Sequence, residues 1–376
     1  MTLHRILLLT SDAGFGHRRA AEAVADAFTE LHGDSLDVHI VNPLDDPSLP
    51  DLVKMLETTY DDMVTEDPTL YQLAYAATDA PVVANLLQRV TTSVLNDTLT
   101  EIVQRYRPDA VLATYPAYIQ GMVRITAKLR RPVSVSTIVT DLIGVHSLWF
   151  NQEATYTFVP TGNVYRQALE QGLNRQRVLL TGLPVNPRIS HLKEVDRTEL
   201  RAELGWDPEA VTALIVGSAR TRQTANIARL LDSSGLPVQL VVVTGGDEQT
   251  YRELETATWK GNVHVYGMVK NMPEMMRAAD LLICKAGGLI VSEALASSLP
   301  LVLYEALPGQ EVGNVRYVVE SGAGAWSPGP IGALTTVYSW LAGDREVLKE
   351  RRAAAEAAGK PRAAYDIVEH VMRSSA

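Results

Sequence analysis

A single cysteine, Cys284, stands in a chain of 376 residues, so no disulfide can form within it. A reducing compartment suits such a chain. Positive charge is in short supply: 34 Lys+Arg against 44 Asp+Glu leave a net charge of -10. The basic footprint of a general nucleic-acid binder is missing, which excludes that class of partner. The same balance excludes attraction of the whole protein to anionic lipid, although a local basic patch remains open. No apolar run is long enough to span a bilayer. The N-terminal run Ile6–Leu9 is too short for a signal peptide and leads into a Gly/His turn rather than a cleavage site. These absences point to a cytoplasmic protein, associated at most peripherally with a membrane surface.

What is present reads as globular, with 46% hydrophobic and 21% charged residues. The length exceeds one typical core and predicts two domains. Strand-like runs fall at residues 5–10, 36–41, 109–114, 132–140 and 155–159, with helical stretches between most of them. Residues 50–106 hold no such run and read as several helices carrying Tyr60, Tyr71 and Tyr75. A Pro-rich, polar and charged stretch begins at Gly182 and marks a linker. A second series of strands follows at 212–216, 237–244, 262–267, 280–285 and 300–304. The alternation predicts an α/β fold of two doubly wound, Rossmann-like domains facing across a cleft, where the carboxyl ends of the strands bind ligands. The expected boundaries are a first domain at 1–183, a linker at 184–207, a second domain at 208–343 and C-terminal helices at 344–376 that can pack back on the first domain.

Two constellations carry chemistry. In the first, SDAGFGH follows the first strand and opens a helix. Gly14 and Gly16 permit a tight turn, and His17 stands at the helix N-terminus. The partial positive charge there disfavours an imidazolium, which leaves the ring able to accept a proton from a hydroxyl. The Rossmann spacing G-x-G-x-x-G fails because residue 19 is Arg. The alternative is a histidine that only caps a turn.

In the second, KAGGLIVSEA follows a strand directly. Gly287 and Gly288 precede a helix whose unpaired N–H groups can receive a diphosphate. Glu293 lies in the first turns of that helix, where a carboxylate can accept both hydroxyls of a ribose. Beyond the next strand, Gln310 and Glu311 start a helix after a Pro308-Gly309 turn. An adjacent amide and carboxylate suit the reading of sugar hydroxyls. The alternative for all three is a solvated helix face.

These blocks resemble the monogalactosyldiacylglycerol synthases and processive diacylglycerol glucosyltransferases, relatives of the lipid II-forming N-acetylglucosaminyltransferase in glycosyltransferase family 28. The resemblance runs over nearly the whole chain and is strongest at SDAGFGHRRAAEAV, VTDLIGVHSLWF, GLPVNP, YGMVKNMPEMMRAADLLICKAGG and PGQEVGNVRYVVESGAG. It implies the GT-B architecture, a UDP-sugar donor (UDP-galactose or UDP-glucose), diacylglycerol or a related lipid as acceptor, inversion at the anomeric carbon and no cofactor or metal. It implies that the first domain takes the acceptor on the membrane side and the second takes the donor. By the same resemblance His17 is the base. Gly267, Met268 and Val269 lie along the uracil, and Glu293 holds the ribose. Gly287, Gly288 and Leu289 approach the diphosphate, and Gln310, Glu311 and Asn314 contact sugar or phosphate. Asp141, His146 and Trp149 form a wall beside His17 on the acceptor side, or alternatively a hydrogen-bonded pair over a core tryptophan.

The chain departs from the family at two loops. Phe15 stands where the family's first loop is richer in glycine. After the first strand of the second domain, VGSARTRQTAN keeps Gly217 and Ser218, but Arg220 and Arg222 replace a run of glycines. Either arginine can pair with a diphosphate or stand as a solvated charge. No Asp-x-Asp metal motif accompanies the site, since Asp61-Asp62 falls in the helical stretch. Lys128, Arg130 and Arg131 form a basic cluster that suits lipid phosphate or a plain solvated helix end. Two further readings fit the same residues: a GT-B transferase with a soluble acceptor, and a nucleotide-sugar-binding regulator without turnover.

Overall fold

The computed structural model describes residues 4–12, 16–49, 89, 91–218, 221, 223–307 and 310–373. They form two units, one built chiefly from Met1–Pro187 and Arg362–Ala376, the other from Arg188–Leu307 and Glu311–Pro361.

The first unit holds strands β1 (Arg5–Leu9), β2 (Asp37–Val41), β3 (Ala110–Ala113), β4 (Ser134–Ile138), β5 (Thr157–Val159) and β6 (Val178–Leu180). Its helices are α1 (Gly16–His32), α2 (Asn96–Tyr106), α3 (Ile119–Thr126), α4 (Gly162–Glu170) and, from the far end of the chain, α14 (Ala363–Arg373). The strands pair in parallel in the order β2-β1-β3-β4-β5-β6. Successive side chains of a strand point to opposite faces, and here both faces are covered. Ile6 and Leu8 join a cluster with Val24, Ala27 and Phe28 of α1 and Ile367 and Val368 of α14. Leu7 and Leu9 join another with Leu99 of α2 and Met122 of α3. The Tyr365 hydroxyl donates to the Glu30 carboxylate and ties α14 to α1.

The second unit repeats the scheme with β7 (Val211–Val216), β8 (Val238–Val243), β9 (Val263–Tyr266), β10 (Leu281–Lys285), β11 (Leu301–Glu305) and β12 (Gly324–Trp326). Helices α5 (Arg188–His191), α6 (Arg197–Glu203), α7 (Thr224–Ser233), α8 (Glu248–Glu255), α9 (Met272–Ala278), α10 (Gly288–Ala296), α11 (Gln310–Glu320), α12 (Gly329–Leu341) and α13 (Glu346–Ala358) surround them. The order is β12-β11-β10-β7-β8-β9, again all parallel. In each sheet the strand order reverses beside the first strand, between β1 and β3 and between β7 and β10. Ligands of doubly wound sheets bind at the carboxyl ends flanking that reversal.

Three findings differ from the sequence reading. Strands β6 and β12 were not among the expected runs; each is a three-residue edge strand, too short to show a period. The stretch 184–207 is largely helical, through α5 and α6, and from Arg188 onward belongs to the second unit. Of the C-terminal helices, α13 stays with the second unit and α14 with the first. The helical insert expected at 50–106 lies outside the described residues up to 88 and at 90.

The amino ends of both sheets are pinned by one device. Asp109 precedes β3, and its Oδ2 accepts from the backbone N–H of His4 and Arg5, each at 3.0 Å, at the start of β1. Its Oδ1 accepts from Arg131 Nη1 at 3.0 Å. Asp280 precedes β10, and its Oδ2 accepts from Thr212 N at 2.9 Å, in β7, and from Arg201 Nη2 at 2.7 Å. Arg352 Nη2 donates to Asp280 Oδ1 at 2.8 Å. Burial, and then the neighbouring Arg352, pull the Arg197 guanidinium beside this cluster down to about 9, so it remains a cation at neutral pH.

Removing the carboxylate leaves Arg201, whose side chain is 9% exposed, with carbonyl acceptors but without its counter-charge. Breaking a buried pair from one side costs roughly 3–5 kcal/mol. We therefore expect Asp280→Ala to lower the unfolding free energy of the second unit, read from its urea transition, by that order, and an unshifted transition would show the cluster to be ornamental.

Candidate active site

His17 is the second residue of α1, directly after the turn that leaves β1. Its Nδ1 lies 2.8 Å from Thr140 Oγ1, just beyond β4. Tyr115, beyond β3, meets the imidazole edge-on with ring centroids 5.1 Å apart. Trp149 stands 6.1 Å away at a tilt of 42°. Three strand ends, those of β1, β3 and β4, thus converge on one imidazole.

The neighbours hold one another. Trp149 Nε1 donates to Asp141 Oδ2 at 2.9 Å, and the indole is buried. The buried tryptophan of this block thus lies beside His17. His146 is buried as well and caps a short 3-10 turn, Ser147–Trp149. Its Nδ1 accepts from Leu148 N at 3.2 Å, which puts any single ring proton on Nε2.

Gly14 and Phe15 lie outside the described residues. Gly16 has open space where a Cβ would sit, so packing does not demand a glycine there. Arg18 Nε and Nη2 donate to the two oxygens of Asp12, the second at 2.8 Å. That guanidinium, with a lesser contribution from Asn42, holds the Asp12 carboxyl below its usual range. Both side chains are about a third or more exposed (31% and 42%), so solvent screens the pair and its role is geometric.

In the second unit the reversal point is framed by the ends of β7 and β10. Gly217 follows β7 directly, and a Cβ there would lie 2.4 Å from Thr224 Oγ1. Ser218 N donates to Thr221 Oγ1 at 2.8 Å, so hydroxyl groups close the loop where the family carries glycines. Arg220 and Arg222 lie outside the described residues.

Beyond β10, Gly287 is the N-cap of α10, with φ -67° and ψ 141°. A Cβ at Gly287 would meet its neighbours at ordinary distances, 3.6 Å or more, so the glycine is not forced by internal packing. Lacking a side chain, it leaves the first N–H groups of Gly288 and Leu289 without a cap, the arrangement that receives anions. Glu293 is half-buried one turn on.

Helix α11 braces this turn. Lys285 Nζ donates to Glu311 Oε1 at 2.5 Å, and Leu307 N donates to Oε2 at 2.7 Å. Asn314 Nδ2 donates to Ala286 O at 2.9 Å. Glu311 and Asn314 are 8% and 5% exposed, so neither is a solvated side chain. The side chain of Gln310 lies outside the described residues. Burial pushes the Cys284 thiol up, leaving it a protonated apolar group inside β10.

Gly267, Met268 and Val269 follow β9 at the same carboxyl edge. Met268 is 73% exposed, an apolar side chain open to a flat partner. The residues that sequence reasoning missed are Thr140, Tyr115 and Lys285. Each sits at a strand end beside a named motif, which is the one signal that could have found them.

Known proteins bear on this geometry. A family model described as "Monogalactosyldiacylglycerol (MGDG) synthase" matches residues 17–185, and one described as "Glycosyltransferase family 28 C-terminal domain" matches residues 213–325. A probable monogalactosyldiacylglycerol synthase, chloroplastic, of Glycine max is 32% identical over 375 residues, covering 97% of this chain and 70% of that protein. The chain belongs to the monogalactosyldiacylglycerol synthase family. Another relative, monogalactosyldiacylglycerol synthase 1, chloroplastic, of Arabidopsis thaliana, is 30% identical over 97% of this chain and 70% of its own length. Among solved structures, MurG of Acinetobacter baumannii is 15% identical with a TM-score of 0.60, covering 99% of each chain. UDP-GlcNAc 2-epimerase of Neisseria meningitidis, bound to UDP-GlcNAc, is 14% identical with a TM-score of 0.63, covering 98% of this chain and 100% of its own. The fold is the GT-B fold of such proteins.

The Lys285–Glu311 pair is testable apart from chemistry. In a double-mutant cycle with Lys285→Met and Glu311→Gln, denaturant unfolding should give a coupling on the order of 1–3 kcal/mol. Additive single effects would mean that the pair does not hold the turn.

Proposed function

We propose that this chain is an inverting hexosyltransferase that moves a sugar from a UDP-sugar to diacylglycerol and so makes a glycoglycerolipid. The observation that carries the reading is family membership across 97% of the chain. The relatives' names favour galactose as the sugar, with glucose as the alternative.

The two ends of the reaction fall to the two units. His17 takes the proton of the acceptor hydroxyl while that oxygen attacks the anomeric carbon. The bond from that carbon to the β-phosphate oxygen breaks, and UDP leaves with the electron pair. Charge building on the pyrophosphate is met by the N–H groups of Gly288 and Leu289 at the start of α10, with the side-chain-free Gly287 letting the phosphates approach. Gly217, Ser218 and Arg220 line the same phosphates. Glu293 accepts the ribose hydroxyls, and Gly267, Met268 and Val269 carry the uracil. Gln310 reads the sugar, while Glu311 and Asn314 act from behind by holding the phosphate turn in shape. Tyr115, Trp149 and the Asp141 that anchors the indole confine the acceptor end around His17.

The acceptor is a membrane lipid, so we place the protein on a membrane face. Among the described residues no helix is long and apolar enough to cross one. The basic cluster of Lys128, Arg130 and Arg131 offers contact with lipid phosphate. A reducing, cytoplasmic setting suits the single buried cysteine; the plant relatives carry "chloroplastic" in their names.

The test is release of UDP from UDP-galactose and UDP-glucose with and without diacylglycerol vesicles, with identification of the lipid product. Release should require the lipid, and His17→Ala should lower kcat by about 10²- to 10⁴-fold, the usual contribution of a general base. Release only with a water-soluble acceptor, or donor binding without release, would replace this reading with another.

A further inference from the structure

The imidazole of His17 can accept a proton at only one ring nitrogen while neutral, and the surroundings decide which. His17 Nδ1 lies 2.8 Å from the hydroxyl of Thr140, a residue 7% exposed at the carboxyl end of β4. A β-branched side chain has few χ1 options, so this hydroxyl is held in place rather than sampled. The rings of Tyr115 and Trp149 confine the imidazole further. Neither contact supplies a charge.

We propose that Thr140 is a positioning residue for the transfer reaction: its hydroxyl oxygen accepts from Nδ1–H of His17, fixes the ring proton on Nδ1 and so leaves the basic lone pair on Nε2. The inference rests on the reading of His17 as the base. The opposite assignment, with Thr140 donating to Nδ1, would place the proton on Nε2 and remove the basic site from the nitrogen that does not meet Thr140. His146, in the same wall, supplies a contrast. A backbone N–H meets its Nδ1, so that ring is held as the other tautomer, with its proton on Nε2. Two histidines in one site are therefore set to opposite tautomers by their first neighbours.

The choice of a hydroxyl has a chemical consequence. A carboxylate at Nδ1 would stabilise the imidazolium through its charge. A threonine gives the same direction to the ring without that charge. Nor does the start of α1 favour a cation, because the helix N-terminus carries partial positive charge.

Thr140→Val keeps the shape and removes the acceptor. It should lower kcat by about 10- to 100-fold, part of a general base's contribution, with little change in KM for the UDP-sugar. Thr140→Ser should restore most of the rate, and thermal melting of both variants checks that the fold is intact. In a His17→Ala background Thr140→Val should cost nothing more. Nitrogen NMR of histidine-labelled protein, with the His17 signal assigned by its loss in His17→Gln, should show the Nδ1–H tautomer in the native chain and a mixture in Thr140→Val. A native signal with the proton on Nε2 overturns the proposal. So does a Thr140→Val loss that persists in the absence of His17, since that marks a merely structural role. If His17→Ala keeps the native rate, the base reading fails instead; the tautomer spectrum still reports separately on Thr140.

Discussion

Burial of both faces of a parallel sheet is the constraint on which this molecule depends. Strands β1 and β7 lie inside their sheets, with helices above and below, so almost none of their side chains can reach solvent or substrate. Chemistry is displaced to the points where strands stop. At the reversal of strand order, neighbouring connections leave toward opposite faces, and the turns between them lie open. His17 and Thr140 occupy such ends in the first unit, and Gly217 and Gly287 in the second. The candidate groups are backbone groups of a turn, side chains just past a strand, or side chains in the first turns of the helix that follows one. Precision comes from the sheet and access comes from its interruption.

The same constraint explains what could be read in advance. A strand buried on both sides is a near-continuous apolar run, as in RILLL and VQLVVV, and such runs are conspicuous in sequence. Ten of the twelve strands among the described residues were legible, the inner ones chiefly for that reason, whereas the short edge strands β6 and β12 were not. The glycine turn before α10 was legible because two glycines directly after an apolar run mark a strand end leading into a helix. Roles set by tertiary pairing were hidden. Glu311 looks like a polar residue at a helix start until Lys285, 26 positions earlier, closes on it. Asn314 shows its function only when Ala286 O is found 2.9 Å away. The contact between Thr140 and His17 spans 123 positions and involves a residue type common at any strand end.

The two constellations also differ in kind. Around His17 the contacts described include two aromatic rings and one hydroxyl, an arrangement shaped by packing. Around Gly287 they are a buried ion pair, an amide and a helix start, so the setting is polarised. A proton acceptor and a diphosphate receiver place opposite demands on their environments. The first must avoid stabilising its own charged form, whereas the second must be organised around charge before any arrives. Carrying them on separate sheets lets each environment be built without compromising the other.

Asp109 and Asp280 add a division of labour along each sheet. Each carboxylate locks the start of one central strand to the start of its neighbour, at the end remote from the chemistry. Alignment of the strands is secured where no substrate passes. The opposite rim is then released from that duty, and a loop such as Ser218 to Gln223 can trade glycines for arginines and threonines while the scaffold beneath it keeps its alignment. The rims of such a protein can be rewritten alone, because the register of its strands is set at the other end.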